Sequence, residues 1–239
     1  MPEISAPNKI AGTKGYGAEV IFSGSTAPER EAVLQEVQAR TGALFVPPYD
    51  HPDIMCGQGT LAVEFLQQAE ELGKKLDVLV APCGGGGMLS GVALACHGTG
   101  TVVFGAEPSE GGADDATRGL KQGSRIEAVK SLTIADGLRT PVGVHPWSVI
   151  SNKEYVENAY AVSDEEVKKA LRLAVERLKV LVEPSSVVPL ATVLYNQELR
   201  HVLRRKADKK GGVLNVGVVF SGGNVTLDRL AELFGGKKE

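Results

Sequence analysis

Cysteine is scarce in this chain. The three present, Cys56, Cys83 and Cys96, form no CxxC pair and leave an odd count. That speaks against a disulfide scaffold and a zinc site, and it fits a reducing, cytoplasmic compartment. Aromatic residues make up only 5%, so Val, Leu, Ala and Ile have to fill the core. Dense positive charge is missing too: the one basic cluster, Arg204, Arg205, Lys206, Lys209 and Lys210, is followed only by a Lys237-Lys238 tail, and the net charge is −3. With no aromatic platform beside it, the cluster reads as a solvated helix end, and nucleic acid is not an expected partner. The amino-terminal MPEISAPNK lacks the apolar run of a signal peptide. Residues 78–106 carry no Asp, Glu, Lys or Arg, but eight glycines, Pro82 and His97 interrupt them. They fit strand, loop and helix near a buried centre, so no membrane is expected as a partner.

Glycine is abundant: 29 of 239 residues, with no G-X-Y period, which signals tight turns and close backbone approaches. The length suits one large domain, or one domain with part of a second. Ala18–Phe22 and Leu44–Val46 predict short strands around a helix that begins after the Gly24–Pro28 turn and stops at Gly42. Pro47-Pro48-Tyr49-Asp50-His51-Pro52 predicts a loop. A helix from Gly59 to about Leu72 follows, with Leu61, Phe65, Leu66, Ala69 and Leu72 inward. Leu76–Ala81 and Thr101–Ala106 are apolar without alternation, as expected of strands covered on both faces. Tyr155–Val162 and Val213–Phe220 predict further strands. Helices are predicted up to Cys96, over Ala113–Lys121, over Ser185–Leu203 and over Thr226–Phe234. Ser163 and Glu166 form a capping box ahead of Val167, Leu171, Ala174, Leu178 and Leu181 at helical spacing, before Pro184 interrupts.

Three constellations carry chemistry. In the first, the strand Leu76–Ala81 runs through Pro82-Cys83 into Gly84-Gly85-Gly86-Gly87 and directly into a helix. Four residues without Cβ let backbone N–H groups converge, and the helix start adds positive partial charge, so a phosphate fits; a merely tight strand-to-helix turn is the alternative. No Gly-Lys-Ser or Gly-Lys-Thr follows, so the loop is not a nucleotide P-loop. The second is Ser221-Gly222-Gly223-Asn224 after the last strand, where open α/β sheets place ligands, although Ser221 also suits a cap for the next helix. The third is Glu107 with Asp114-Asp115: two carboxylates and nearby carbonyls suit Mg²⁺ or Ca²⁺, or serve only as helix caps.

With KGYGAEV (Lys14–Val20), GQGT (Gly57–Thr60), PCGGGGMLSG (Pro82–Gly91), AEP…ADDA (Ala106–Ala116), TIADG (Thr133–Gly137), EPSS (Glu183–Ser186) and SGGN (Ser221–Asn224), the chain resembles the fold-type II pyridoxal-phosphate enzymes of the serine racemase and threonine/serine ammonia-lyase branch. The resemblance implies a three-layer αβα open parallel sheet of the tryptophan-synthase-β-like type, incomplete at the N-terminus. It implies a remnant of a smaller domain over residues 1–52 and a larger cofactor-binding domain over 53–239. Pyridoxal 5'-phosphate would be held by Gly84, Gly85, Gly86, Gly87 and Met88 at its phosphate, with Gly137 against the ring, Glu183 near it, and Ser221 at the pyridine nitrogen. A neutral hydroxyl there makes the ring a weaker electron sink, which suits β-elimination and racemisation. Glu107, Ala113 through its carbonyl, and Asp115 would hold Mg²⁺ or Ca²⁺, across an extra Glu110-Gly111-Gly112. A small hydroxy-amino acid substrate and a homodimer are further implications. TIADG and the Ala113-Asp114-Asp115 element point away from the related cysteine-synthase chemistry.

The family's cofactor lysine segment and its Ser-x-Gly-Asn-His-Gly loop have no counterpart here, and Lys9 and Lys14 match surface positions, so no catalytic residue is assigned. The expectation from sequence is an ammonia-lyase or racemase shortened at its start and inactive in this form. The alternative is a non-catalytic remnant that binds phosphate compounds or pairs with a full-length relative.

Overall fold

The computed structural model describes residues 1–25 and 27–235. Thr26, within the Gly24–Pro28 turn, and the Lys237-Lys238 tail lie outside the described residues. Two compact units are present, Met1–Pro47 with Asn224–Glu239, and Pro48–Gly223.

The first unit holds α1 (Pro7–Gly15), α2 (Ala27–Thr41) and, near the end of the chain, α10 (Leu227–Phe234). Two sequence expectations fail here. Ala18–Phe22 and Leu44–Val46 are not strands. A strand needs a ladder partner, and among the described residues the one pairing in this unit is an isolated bridge, Pro2 to Ser23. Leu44 and Val46 are largely exposed, so apolar content alone produced that expectation.

The second unit runs α3 (Pro52–Glu71), β1 (Val78–Pro82), α4 (Gly87–Cys96), β2 (Val102–Pro108), α5 (Asp115–Gln122), α6 (Val144–Ile150), β3 (Asn158–Val162), α7 (Asp164–Leu173), α8 (Val188–Tyr195), α9 (Gln197–Lys210) and β4 (Val216–Val218). The strands form one parallel sheet in the order β3-β2-β1-β4. Every residue of β1 is buried, as expected of a strand covered on both faces. Leu79 and Ala81 join the cluster formed with Met55, Ala62, Leu89 and Val92 of α3 and α4. Val78 and Val80 alternate to the other face, where α8 packs on β1, β2 and β3. Helices on both faces of a parallel sheet make the three-layer α/β architecture.

The core depends on one close helix crossing. A Cβ on Gly91 of α4 would lie 2.2 Å from the Met55 carbonyl oxygen and 2.7 Å from Gly59 N, and a Cβ on Gly59 would lie 2.9 Å from the Gly91 carbonyl oxygen. The third residue of GQGT and the last of PCGGGGMLSG are therefore the two faces of a backbone-to-backbone contact.

Other elements differ from expectation at their ends. α3 starts at Pro52, with the His51 ring accepting the Asp53 N–H at 3.2 Å; proline at the first helical position continues the helix where Pro-rich sequence suggested loop. Leu72, expected inward, is exposed. The capping box at Ser163 is present, but α7 loosens into a wider turn over Ala174–Leu178, closed by Lys179 at φ 59°. Leu178 and Leu181 are half exposed as a result. The helix predicted over Ser185–Leu203 is split at Asn196, whose extended backbone ends α8 and whose side chain accepts the Leu199 N–H that opens α9. In the basic cluster, Lys206 pairs with Glu157 at 2.6 Å and Lys210 with Asp77 at 2.7 Å. Among the described residues no helix is long and apolar enough to cross a membrane.

Replacing Gly91 by Ala forces α3 and α4 apart, and we expect a loss of about 3 kcal/mol, from overpacking plus the disturbed core. Chemical denaturation reads this directly, with Gln67→Gly on the exposed face of α3 costing only about 1 kcal/mol as the reference; equal losses would deny the crossing its role.

Candidate cofactor site

All four strands are parallel, so their carboxyl ends share one edge of the sheet. The strand order reverses between β1 and β4, and open α/β sheets form a ligand crevice at such a switch point. The loop after β1 is Cys83–Gly86, and the loop after β4 contains Ser221 and Gly222.

Gly84, Gly85, Gly86 and Gly87 are all buried. Gly86 stands at φ 86° as the cap of α4, which has no side-chain cap. The first N–H groups of α4, which like those of any helix have no intrahelical acceptor, thus find no side-chain cap either. Together with the helix dipole they form a backbone anion receptor. A Cβ at any of the four positions would meet a neighbour: Leu138 Cα at 2.9 Å for Gly84, the Tyr49 ring at 2.3 Å for Gly85, Pro146 Cβ at 2.8 Å for Gly86 and the Tyr49 carbonyl oxygen at 3.0 Å for Gly87. A tight turn accounts for Gly86 alone. The other three are required by what approaches them. Met88 offers its N–H in the first turn while its side chain packs on the core.

The TIADG segment is held from behind. The Thr133 hydroxyl donates to Asp164 at the start of α7, the Ile134 N–H donates to the same carboxylate at 2.9 Å, and Arg139 Nε donates to the Thr133 carbonyl at 3.0 Å. Gly137 is thereby presented beside Gly84, its carbonyl oxygen 3.2 Å from where a Gly84 Cβ would be. The Gly137 N–H donates to Ser185 Oγ at 3.0 Å. Glu183 Oε1 would stand 3.5 Å from a Cβ on Gly137 and 3.3 Å from one on Gly222, and the Glu183 N–H donates to the Gly222 carbonyl at 3.0 Å. Gly84–Gly87, Gly137, Glu183 and the Ser221-Gly222 loop therefore converge. Ser221 is exposed and does not cap α10; Thr226 does, accepting the Arg229 N–H. Sequence reasoning missed Tyr49, Asp50 and Ser185. Only Ser185 lay inside a quoted motif.

Glu107 and Asp115 are brought together near the end of β2. Glu107, at 0% exposure, accepts the N–H groups of Ala116 and Thr117 and the Thr117 hydroxyl at 2.7–2.9 Å, so it caps α5. Asp115 Oδ2 accepts the Val142 N–H at 2.9 Å, while its buried Oδ1 has no partner. Burial first, then the neighbouring Asp115 charge, pushes the Glu107 carboxyl up to about 8; burial likewise carries Asp115 to about 6. Ala113 is buried alongside. The extra residues form a short 3₁₀ turn, Glu110–Gly112, with Gly111 and Gly112 at positive φ, and Glu110 Oε1 accepts the Asp164 N–H at 2.8 Å. Burial, then the charges of Glu107 and Asp115, holds the Cys83 thiol well above its usual range, so it is inert as a nucleophile.

The sequence profile of the family described as pyridoxal-phosphate dependent enzyme matches residues 1–222. The L-threo-3-hydroxyaspartate ammonia-lyase of Saccharomyces cerevisiae is 39% identical over 242 residues, covering 100% of this chain and 68% of that protein. The serine racemase of Schizosaccharomyces pombe is 37% identical, over 97% of this chain and 67% of that protein. Maize serine racemase superposes with a TM-score of 0.85 at 33% identity, covering 97% of this chain and 67% of that one. These findings overturn the expectation of an inactive chain, and with it the non-catalytic remnant. That expectation rests on two family motifs without a counterpart in the sequence, whereas the chain itself matches ammonia-lyases and racemases almost throughout and brings the glycine loop, Gly137, Glu183 and the Ser221-Gly222 loop together. The chain belongs to the pyridoxal-phosphate-dependent enzymes, in the branch that contains the serine racemases and the hydroxy-amino acid ammonia-lyases.

Proposed function

We propose that the protein is an ammonia-lyase or racemase of a small 3-hydroxy-amino acid: serine, threonine or 3-hydroxyaspartate. One observation carries this reading: an uncapped helix start and four buried glycines at the switch point of a parallel sheet. When bound, pyridoxal phosphate supplies an electron sink for the pair left as the Cα–H bond breaks. Gly84–Gly87 and Met88 hold its phosphate through N–H groups, and the buried loop keeps water from that end. Gly137 and Gly222 lie exposed or half exposed and leave a planar ring room to approach. Ser221 would offer the ring nitrogen a neutral hydroxyl, and Glu183 stands beside both Gly137 and Gly222, the segments that would receive the ring. The substrate class is supported by the relatives' names, an L-threo-3-hydroxyaspartate ammonia-lyase, a beta-hydroxyaspartate dehydratase and serine racemases, which act on or are named for amino acids with a 3-hydroxyl. A homodimer in the cytoplasm completes the proposal; Cys56, Cys83 and Cys96 are all free thiols, as a reducing compartment requires.

We propose also that Glu107, Asp115 and the Ala113 carbonyl hold Mg²⁺ or Ca²⁺. The donors are hard oxygens, Asp115 Oδ1 is buried without a partner, and a cation would neutralise two buried carboxylates. The proposed donor set is two carboxylates and one carbonyl; among the described residues no group of three His, Cys, Asp or Glu is placed to hold a metal ion.

Two outcomes follow. In the native protein supplied with pyridoxal phosphate and Mg²⁺, L-serine, L-threonine or L-threo-3-hydroxyaspartate releases its 2-oxo acid, or L-serine yields D-serine, and Gly85→Val lowers the rate at least about a hundredfold. Silence toward all three substrates would refute the proposed function. Without divalent cations, stability falls as pH rises: the folded form keeps protons on Asp115 and Glu107 up to about 6 and about 8, whereas the unfolded chain loses them near 4. Millimolar Mg²⁺ or Ca²⁺ raises Tm by a few degrees, about 3 °C or more, with the larger gain at pH 8 than at pH 5, and Glu107→Gln removes the gain. Superimposable melting curves with and without both ions would remove the metal from the account.

A further inference from the structure

Three segments close on Gly85. The Tyr49 ring occupies the space in which a Gly85 side chain would begin, 2.3 Å from the Cβ position, and the Tyr49 backbone covers Gly87. From another side the Gly143 N–H donates to the Gly85 carbonyl at 3.0 Å. In a planar trans peptide the carbonyl and the following N–H point in opposite directions. The bond from Gly143 therefore aims the Gly86 N–H away from the 142–145 segment.

Asp50, the residue after Tyr49, grips that same segment. Its Oδ2 accepts the Val144 N–H at 2.9 Å, and its Oδ1 accepts the His145 N–H at 2.8 Å and lies 3.0 Å from His145 Nδ1. A Cβ on Gly143 would fall 2.5 Å from Asp50 Cγ, so Gly143 is what lets the carboxylate seat. Burial alone would raise the Asp50 carboxyl, but the Val144 and His145 donors carry it below its ordinary value. One side chain thus ties the stretch carrying Tyr49 to the stretch carrying Gly143, and both end on Gly85.

We infer that Asp50, with His145 as its partner, is the positioning residue of the phosphate loop: it seats Tyr49 and Gly143 around Gly85 and so sets the direction of the N–H groups that receive the phosphate. The inference rests on the pyridoxal-phosphate reading of that loop and adds a residue pair outside it.

Direct binding tests it, using pyridoxal 5'-phosphate against pyridoxal, the same ring without the phosphate, in the native protein and its Asp50→Ala, Asp50→Asn and His145→Ala variants. Asp50→Ala raises the Kd for pyridoxal phosphate about tenfold and leaves that for pyridoxal within about twofold. Asp50→Asn, which keeps one acceptor, falls between, and His145→Ala, which keeps both backbone bonds, gives a smaller rise of the same kind. The emission of Trp147, the one tryptophan and a residue of α6, verifies that α6 is seated; should Asp50→Ala fail to fold, His145→Ala decides alone. Equal weakening of both ligands marks a merely structural contact and overturns the inference, as does unchanged binding or a wild type that does not prefer the phosphorylated ligand. A phosphate preference that Asp50→Ala abolishes, in a protein that neither releases a 2-oxo acid nor forms D-serine, would refute the reaction while supporting the positioning role.

Discussion

From Gly84 to Gly87 the backbone is approached so closely that no side chain fits, and the rest of the site follows from that. Leu138 and Gly137 come against Gly84, Tyr49 against Gly85 and Gly87, and Pro146 with Ile150 against Gly86. Each neighbour arrives from a different part of the chain. A methyl group at any of the four positions would displace one of them, Tyr49 from either Gly85 or Gly87, so the glycines work as a common centre. Close approach also leaves the helix start without a capping side chain, and a buried, uncapped helix start is a region of positive potential.

The parallel sheet explains why distant motifs meet. With every strand running the same way, the glycine loop, the acidic pair at the end of β2, the Asp164 that pins TIADG after β3, and the Ser221-Gly222 loop after β4 all fall on one edge. Charge is partitioned along that edge. The N–H-rich loop lies at the β1–β4 reversal, and the carboxylates Glu107 and Asp115 lie toward β2, where burial resists their ionisation. Cys83 stands between the two, buried and held protonated.

Much of this was legible from residue order. Unalternated apolar runs located β1 and β2, the Ser163–Glu166 box located α7, and the glycine run located the loop, because each is a local pattern backed by a local interaction. What was not legible depends on partners far away in the chain. Leu44–Val46 is apolar enough for a strand but has no ladder to join. Pro47–Pro52 reads as loop, yet its Asp50 binds residues 94 and 95 positions later and its Pro52 opens a helix. GQGT offered no chemistry of its own; its Gly59 is there to meet Gly91. The expectation of inactivity failed for another reason: it weighed two motifs of the family above the site that this chain carries.

The central claim, that the glycine loop is a receptor for phosphate, is tested most directly by following backbone amide resonances of the ¹⁵N-labelled protein during titration with pyridoxal 5'-phosphate. The account predicts that Gly84–Gly87 and Met88 shift together, with one saturation curve, and that Gly137 and Gly222 follow them. Saturable shifts confined to residues elsewhere, with Gly84–Gly87 unmoved, would contradict it.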